Sequence, residues 1–260
     1  MPNTYGNIYP AWGINTQNQV FAVDTGNAIF PMSDENFAEV IAISESGVIW
    51  VLSTDPDTGG ALLYWGIGDG NWNPATTASG AIFLSGFVGN QAWYYTEDGA
   101  LCTIDITGEG EVIGKIADVQ QMDYGGGYLW LVFPSTDGGI PCLQFSPING
   151  APFAWKPFVG FPEPSCITVN YTGNCYGIDG SFSPMYYLND GVSTGSAGDG
   201  ANGSALEISF KNTYFLLSTN ADKNGNDVLM YQDTAGSSFV SAGFQAIQVL
   251  GTYYVAPITQ

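Results

Sequence analysis

The sequence predicts an all-β protein, a single-domain six-bladed β-propeller with four-stranded antiparallel blades. Two observations favour this fold class: an aromatic strand signal recurs about every forty residues, and apolar runs alternate with polar, Gly-rich turns. The recurring aromatics are Trp12, Trp50, Trp93, Trp130, Tyr176, Phe215 and Tyr254, separated by 38, 43, 37, 46, 39 and 39 residues. Short strands repeated at this period are typical of propeller blades.

The first six aromatics lie in predicted hairpins, where two apolar runs flank a polar turn. These hairpins, strands B and C of each blade, span 10–24, 47–65, 90–105, 127–145, 174–188 and 212–231. Apolar runs for the innermost strand A are at 38–44, 80–89, 118–126, 165–173, 205–210 and 244–251. Weaker runs for the outer strand D are at 27–32, 71–75, 111–115, 152–158 and 237–243. In the fifth blade only the glycine-rich segment 191–204 stands where D is expected.

The order of these runs predicts how the ring closes. The chain begins with B, C and D and ends with A and B, so we expect the C-terminal strand 244–251 to join the N-terminal blade, making 1–260 one domain. One B strand is then surplus, either 10–14 or 253–257. The B–C turn is short in odd-numbered units and long in even-numbered ones, so the true repeat is either one blade or a pair, with six or three ligand sites.

The charge of the chain excludes several classes of partner. There are 24 acidic residues against four lysines, with no arginine or histidine, and the formal net charge is −20. This charge opposes binding to nucleic acid or anionic lipid. No apolar run approaches the ~20 residues of a membrane span, so no membrane insertion is expected. We attribute the acidity mainly to solubility.

The missing residue types argue against an enzyme. Without histidine there is no Ser-His-Asp or Cys-His pair and no His-ligated zinc, and without arginine there is no bidentate anion clamp. Carboxylate catalysis is the chemistry left open, with acids at Asp55, Asp57, Asp69, Glu97, Asp98, Asp179 and Asp190. All lie in predicted turns, which favour aspartate regardless of function. We therefore predict no catalytic residue.

One segment, 220–227, has oxygen-bearing side chains at alternating positions, as in Ca²⁺ loops. It lacks the later bidentate Glu and includes Lys223, so we favour an ordinary turn, no metal ligand and no cofactor, with Ca²⁺ as the alternative.

The four cysteines have no metal-binding spacing and are expected as free thiols. With no apolar signal segment at the start, we expect a cytoplasmic or non-classically secreted protein.

The hairpins AWGINTQNQVFAV (11–23), ESGVIWVLSTDPDTGGALLYWGIGDGNW (45–72) and GNQAWYYTEDGALCTI (89–104) resemble those of tectonin-type β-propeller lectins. In the fifth and sixth units the B-strand Trp is replaced by Tyr176 and Phe215. The resemblance implies a six-bladed propeller that binds glycans or glycoconjugates at several equivalent sites between blades, in some members for defence.

Sugars present an apolar C–H face to aromatic rings and hydroxyls to short polar side chains. The B-strand tryptophans alternate with apolar residues, and we expect them to be core. The predicted ligand-binding residues therefore lie toward strand ends and turns: Trp65, Asp69, Trp72, Tyr94, Glu97, Trp155, Tyr186, Asp190, Tyr231 and Asp233. The rival hypothesis is a non-enzymatic protein-interaction scaffold with an acidic binding face.

Overall fold

The structure is a computed structural model, and every element in the part it describes is a β-strand. The described residues are 11–23, 29–32, 38–44, 46–54, 61–67, 70–75, 80–134, 142–148, 153–158, 164–170, 172–197, 202–208, 214–219, 228–232, 240–245 and 248–251. The chain divides into two compact units. The main segment of the first unit ends at Lys115, and the second unit runs from Ile116 to Gly251.

Blades are numbered along the chain. In the first unit, blade 1 contributes β1 (Ala11–Ile14), β2 (Val20–Val23) and β3 (Ile29–Pro31), which pair in this order. Blade 2 consists of β4 (Val40–Ile43), β5 (Ile49–Thr54), β6 (Ala61–Gly66) and β7 (Asn73–Ala75). Blade 3 consists of β8 (Ala81–Gly86), β9 (Ala92–Thr96), β10 (Ala100–Ile104) and β11 (Gly110–Lys115).

The second unit contains blades 4, 5 and 6. Blade 4 consists of β12 (Gln121–Gly125), β13 (Tyr128–Phe133), β14 (Cys142–Pro147) and β15 (Lys156–Phe158). Blade 5 consists of β16 (Pro164–Val169), β17 (Cys175–Asp179), β18 (Pro184–Tyr187) and β19 (Thr194–Ser196). Blade 6 consists of β20 (Gly203–Ile208), β21 (Tyr214–Ser218), β22 (Val228–Gln232) and β23 (Val240–Gln245), and β24 (Gln248–Gly251) follows it.

The predicted antiparallel A-B-C-D blade is confirmed. The sequence predicts six blades. Within the described part of the chain, five four-stranded blades each lie entirely within one of the two units. A sixth would have to combine β1, β2 and β3 with a strand from the C-terminal end, and this ring closure stays a prediction. Residues 253–257, one of the two alternatives for the surplus B strand, lie outside the described residues.

The outer strand of blade 5 corrects the sequence analysis, which found only a glycine-rich segment there. The structure places β19 within 191–204, with Gly195 opposite Tyr186. A Cβ atom at Gly195 would come within 2.9 Å of the Tyr186 ring. The glycine that weakens the strand signal is therefore what lets the aromatic ring lie across the outer strand.

Neighbouring blades pack face to face through apolar side chains. Trp50, Leu52 and Leu63 of blade 2 share a buried cluster with Leu84 and Ile104 of blade 3. Blades 4 and 5 form an equivalent cluster around Trp130, and blades 5 and 6 another around Ile178. The B-strand tryptophans are core, as predicted: Trp12, Trp50, Trp93 and Trp130 are at most 4% exposed.

Six hairpin turns of five residues share one hydrogen-bonded design. Their first residues are Asn15, Ser44, Thr96, Asp105, Asn170 and Asp179, and the side-chain oxygen of each accepts the backbone N–H of the fifth residue. Their fourth residues are Asn18, Gly47, Gly99, Gly108, Gly173 and Phe182, which are left-handed with φ between 59° and 83°. A type I turn followed by a left-handed residue is a common hairpin connection, and the side-chain cap satisfies backbone donors that the turn leaves unpaired.

Candidate functional site

The register of the blades places an aromatic residue on strand C directly opposite the B-strand aromatic in four blades. The pairs are Trp50 with Trp65, Trp130 with Phe145, Tyr176 with Tyr186, and Phe215 with Tyr231. In blades 1 and 3 the same position holds the small residues Ala22 and Thr103. Three of the predicted ligand-binding residues, Trp65, Tyr186 and Tyr231, thus occupy one equivalent position in blades 2, 5 and 6.

In blade 2 the structure brings Trp65 and Trp72 to the same end of the sheet. Trp65 is half-buried, and its neighbour across to strand D is the exposed Asn73, whose side-chain Nδ2 donates to the Trp65 carbonyl at 3.5 Å. The ring of Trp72 lies against Gly66, where a Cβ atom would be 3.2 Å from it. Trp72 Nε1 also donates to the carbonyl of Met32, at 3.2 Å. Trp72 therefore links blade 2 to the chain that follows β3, and both tryptophans are half-buried.

In blade 5 Tyr186 is half-buried, and its ring covers Gly195. Asp190, predicted to accompany it, is exposed and holds the turn after β18 in place. Its carboxylate accepts the backbone N–H groups of Val192 and Ser193 at 2.9 and 2.8 Å and the Ser193 hydroxyl at 2.5 Å. The Ser193 hydroxyl, together with these amides, lowers the pKa of Asp190. The carboxylate has a structural role in the turn, and its part in ligand binding stays a prediction.

Tyr94 and Glu97 of blade 3 serve different parts of the sheet. Tyr94 packs against the cluster shared by blades 2 and 3, the same cluster that Trp65 contacts. Burial, and then a hydrogen bond with Cys102 opposite, raises the pKa of Tyr94 to about 12. Glu97 is exposed in the B–C turn, where its backbone N–H donates to Gly80. Trp65 and Tyr94 are thus two predicted residues that pack against one buried cluster, whereas Glu97 lies in an exposed turn.

The remaining predicted residues are partly described. Trp155 is half-buried just before β15, and its ring is 5.1 Å from that of Phe153. Tyr231 lies in β22, and its side chain is outside the described residues, as are Asp69, Asp233 and the segment 220–227 considered for Ca²⁺. Within the described residues no group of three or more acidic or cysteine side chains is arranged to hold a metal ion. Cys102, Cys166 and Cys175 are free thiols, as predicted.

Two of the acids considered for catalysis, Asp179 and Asp98, are held by neighbouring groups. Asp179 is buried, and its Oδ1 accepts the backbone N–H groups of Ser181 and Ser183 at 2.8 and 2.9 Å. The exposed Asp98 forms an ion pair with Lys115, at 2.8 Å, and accepts the Thr96 hydroxyl at 2.6 Å. The Lys115 contact is the main reason that the pKa of Asp98 falls to about 2.

The indole nitrogens of the buried tryptophans are not equivalent. In blade 4, Trp130 Nε1 donates to the carbonyl of Gly173, in the A–B turn of blade 5, at 3.0 Å. In blade 2, Trp50 Nε1 has no hydrogen-bond partner among the described residues. The sequence does not predict this difference, because both residues are B-strand tryptophans in the same pattern. The Trp130 acceptor comes from a turn of the next blade, which is distant in sequence.

Two further features were missed. Phe182, at the tip of the β17–β18 turn, is 51% exposed and left-handed, with a φ of 65°. The pattern Asp179-Gly-Ser-Phe182 parallels the capped turns with Asn or Gly in fourth position, so an alignment of the turns alone would have identified it. The aromatic position on strand C can also be identified from the sequence, by counting residues on both strands of a hairpin outward from its turn.

The fold places the chain among known propellers. No protein-family model matches the sequence, and no curated protein matches it. Among solved structures, the chain is similar to an oligogalacturonate lyase in complex with manganese, with 9% identity over 88% of this chain and 74% of that one and a TM-score of 0.57. It is also similar to virginiamycin B lyase from Staphylococcus aureus, with 11% identity over 92% and 85% and a TM-score of 0.53. YCF48 bound to D1 peptide has 10% identity over 94% and 86% and a TM-score of 0.50.

The described part of the chain contains no helix of the length and apolar character needed to cross a membrane. At identities near one in ten, the structural likenesses establish the fold alone. The chain is an all-β protein with the β-propeller fold, built from four-stranded antiparallel blades.

Proposed function

We propose that this protein is a carbohydrate-binding propeller, a lectin with several weak glycan sites that act together. The observation that carries the proposal is the repeated aromatic position on strand C, filled by Trp65, Tyr186 and Tyr231 in three blades. Repetition of one side-chain type at one register, on a rigid scaffold, is what a multivalent binder requires. The proposal includes the six-bladed ring closed by the C-terminal strand, which would present these positions around one particle.

The chemistry at blade 2 suits a neutral sugar. Trp65 is half-buried, and Asn73 beside it is exposed and carries both a donor and an acceptor. A sugar ring stacked on the indole would find hydrogen-bonding groups at its edge. A single shallow site of this kind has a Kd of about 1 mM, and joining several on one ring gains avidity of about 10²–10⁴.

Charge narrows the class of glycan. With a net charge of −20 and no arginine or histidine, the chain has little to offer sialylated, uronic or sulfated glycans. One of its four lysines, Lys115, is already paired with Asp98. We therefore expect neutral glycans as ligands and no catalytic turnover of them.

A second candidate function is a scaffold that docks a basic protein partner. The observation in its favour is the set of exposed carboxylates on blade 3, at Glu97, Asp98, Glu109 and Glu111. The two functions respond differently to salt, because exposed charge pairs are screened over about 10 Å at 0.1 M salt whereas stacking on an aromatic ring is not. Binding that survives about 0.5 M salt, at which exposed charge pairs are largely screened, thus favours the lectin.

A glycan array probed with labelled protein tests the proposal, with parallel wells containing excess EDTA or added salt. We expect reproducible binding to a coherent set of neutral glycans that persists at high salt. A loss of binding in EDTA would assign a metal role to the segment 220–227. A blank array would overturn the lectin function, and capture of a basic partner that high salt reverses would support the scaffold.

A further inference from the structure

The indole N–H of Trp50 is a buried donor that needs an acceptor. Trp50 is 0% exposed, and its Nε1 has no hydrogen-bond partner among the described residues. Leaving such a group unpaired costs about 1–3 kcal/mol, and unpaired buried polar groups are rare in folded proteins. A donor retained at this cost points to an acceptor that the described residues do not supply.

The equivalent residue of blade 4 shows what the fold normally provides. Trp130 occupies the same strand position as Trp50, and each is opposite an aromatic residue on strand C. Trp130 Nε1 donates to the carbonyl of Gly173, the left-handed residue in the A–B turn of the next blade. The A–B turn of the next blade is therefore the natural source of the acceptor.

The A–B turn that follows blade 2 does not provide one. Gly89 is the left-handed residue of this turn, and its carbonyl accepts the backbone N–H of Ser46 at 2.9 Å. This bond joins the A–B turns of blades 2 and 3 at the end of the sheets where Trp50 lies. The Gly89 carbonyl is thus engaged with a donor other than Trp50 Nε1.

The same turn also lacks the side-chain cap of the six capped turns. The six capped turns begin with a residue whose side-chain oxygen bonds the backbone four residues later, whereas the turn from 87 to 91 begins with Phe87, which has no side-chain oxygen. Its own backbone bonds are Phe87 to Gln91 at 3.0 Å and Gln91 to Val88 at 3.3 Å. Val88 at its tip is 47% exposed.

We propose that a hydroxyl of a neutral saccharide is the acceptor for Trp50 Nε1, bound between blades 2 and 3 beneath the turn from 87 to 91. The half-buried Trp65, the cross-strand neighbour of Trp50, supplies the stacking surface. The apolar Ile67, directly after β6, and Val88, in the turn, are 40% and 47% exposed. This inference rests on the proposed glycan binding and deepens it, because it makes the position in blade 2 the principal site. Trp130, the equivalent residue of blade 4, already donates its indole N–H to Gly173.

The inference is tested by observing the tryptophan indole N–H signals of the full chain by ¹H–¹⁵N NMR. Chitotetraose, lactose and mannotriose serve as neutral probes, together with the glycan that binds best on the array. We expect a bound probe to shift the Trp50 signal and leave the Trp130 signal in place. Trp50→Phe keeps an aromatic ring at this position and removes the donor, so it should weaken binding about tenfold, a loss of about 1.4 kcal/mol for a hydrogen bond.

Trp130→Phe is the matched control, and it should leave the affinity unchanged. Binding that leaves both indole signals unmoved, with Trp50→Phe as tight as wild type, would overturn the inference while the lectin function stands. A contact between the Trp50 N–H and a bound water that persists when the probe is saturating would also overturn it. Failure of the wild-type protein to bind any neutral glycan would instead remove the proposed function. The signals of the wild-type protein decide the question even if Trp50→Phe does not fold.

Discussion

Trp130 Nε1 donates a hydrogen bond of 3.0 Å to the carbonyl of Gly173, and this bond joins the core of blade 4 to a turn of blade 5. Trp130→Phe would keep most of the buried ring but leave the Gly173 carbonyl without its donor. We expect the free energy of unfolding to fall by about 1–3 kcal/mol, the cost of an unpaired buried group. Urea denaturation followed by tryptophan fluorescence and circular dichroism measures it.

Trp50→Phe is the comparison for that experiment. It removes a similar part of a fully buried indole, but its N–H has no hydrogen-bond partner among the described residues. We expect Trp50→Phe to cost less than Trp130→Phe by about 1 kcal/mol. Equal costs for the two substitutions would contradict the difference that the structure draws between the two indoles.

Gly173 is predicted to be intolerant of any side chain. It is left-handed, with a φ of 81°, and a Cβ atom there would clash with the ring of Tyr128. Gly108 has a φ of 83° and nothing within 4 Å of the added Cβ position. Both alanine substitutions carry a left-handed strain of about 1–2 kcal/mol, but only Gly173→Ala must also displace Tyr128. Gly173→Ala should lower the unfolding free energy more than Gly108→Ala, and equal losses would show that Tyr128 moves without cost.

Phe182 is strained in the conformation that it adopts. Its φ is 65°, the position that Asn18, Gly99 and Gly173 fill in equivalent turns. Phe182→Asn or Phe182→Gly should therefore stabilise the protein by about 1 kcal/mol in urea denaturation. Phe182→Ala removes the exposed ring and keeps the strain, so it separates the two effects. A loss of stability in Phe182→Gly would mean that the ring makes a stabilising contact.

The ion pair between Asp98 and Lys115 predicts a pH dependence. The Lys115 contact, with the Thr96 hydroxyl second, lowers the pKa of Asp98 to about 2. Because the folded-state pKa lies below the ordinary value of 3.8, the contribution of Asp98 to stability is present above that value and is lost as pH falls toward about 2. The effect is small and salt-sensitive, since both side chains are about two-thirds exposed.

The carboxyl resonance of Asp98 measures this directly. In the wild-type protein we expect the NMR titration midpoint near 2. In Lys115→Met it should rise toward 3.8, while the midpoint of Asp105, which is held by Thr107 and the turn amides, stays where it was. An unchanged Asp98 midpoint in Lys115→Met would show that the turn, and not the lysine, lowers its pKa.

The strands were predictable because their signal is local. Alternating apolar residues and turn residues gave the strand order within each blade, and the burial of Trp12, Trp50, Trp93 and Trp130 followed from their repeat. The outer strand β19 was missed because Gly195 carries no strand signal of its own; its role depends on the Tyr186 ring across the sheet.

The candidate site was less predictable, because its contacts join distant parts of the chain. Trp72 Nε1 donates to the Met32 carbonyl, and the Ser46 N–H donates to the Gly89 carbonyl. Both hydrogen bonds depend on how neighbouring blades pack. Sequence spacing does not encode those contacts. Asp190 was chosen as an acid near an aromatic, but its turn hydrogen bonds become visible only when the turn geometry is known.

The most direct test of glycan binding through the repeated aromatic position compares the wild-type protein with the double variant Trp65→Ala/Tyr186→Ala. Both are measured on surfaces that carry one array-selected neutral glycan at low and at high density, with Val192→Ala, an exposed apolar residue at 71% exposure, as control. The account predicts strong binding of wild type and Val192→Ala at high density only, and a loss of at least tenfold in the double variant, with circular dichroism showing that it stays folded. Undiminished binding by the folded double variant, or no binding by the wild type at either density, would contradict it.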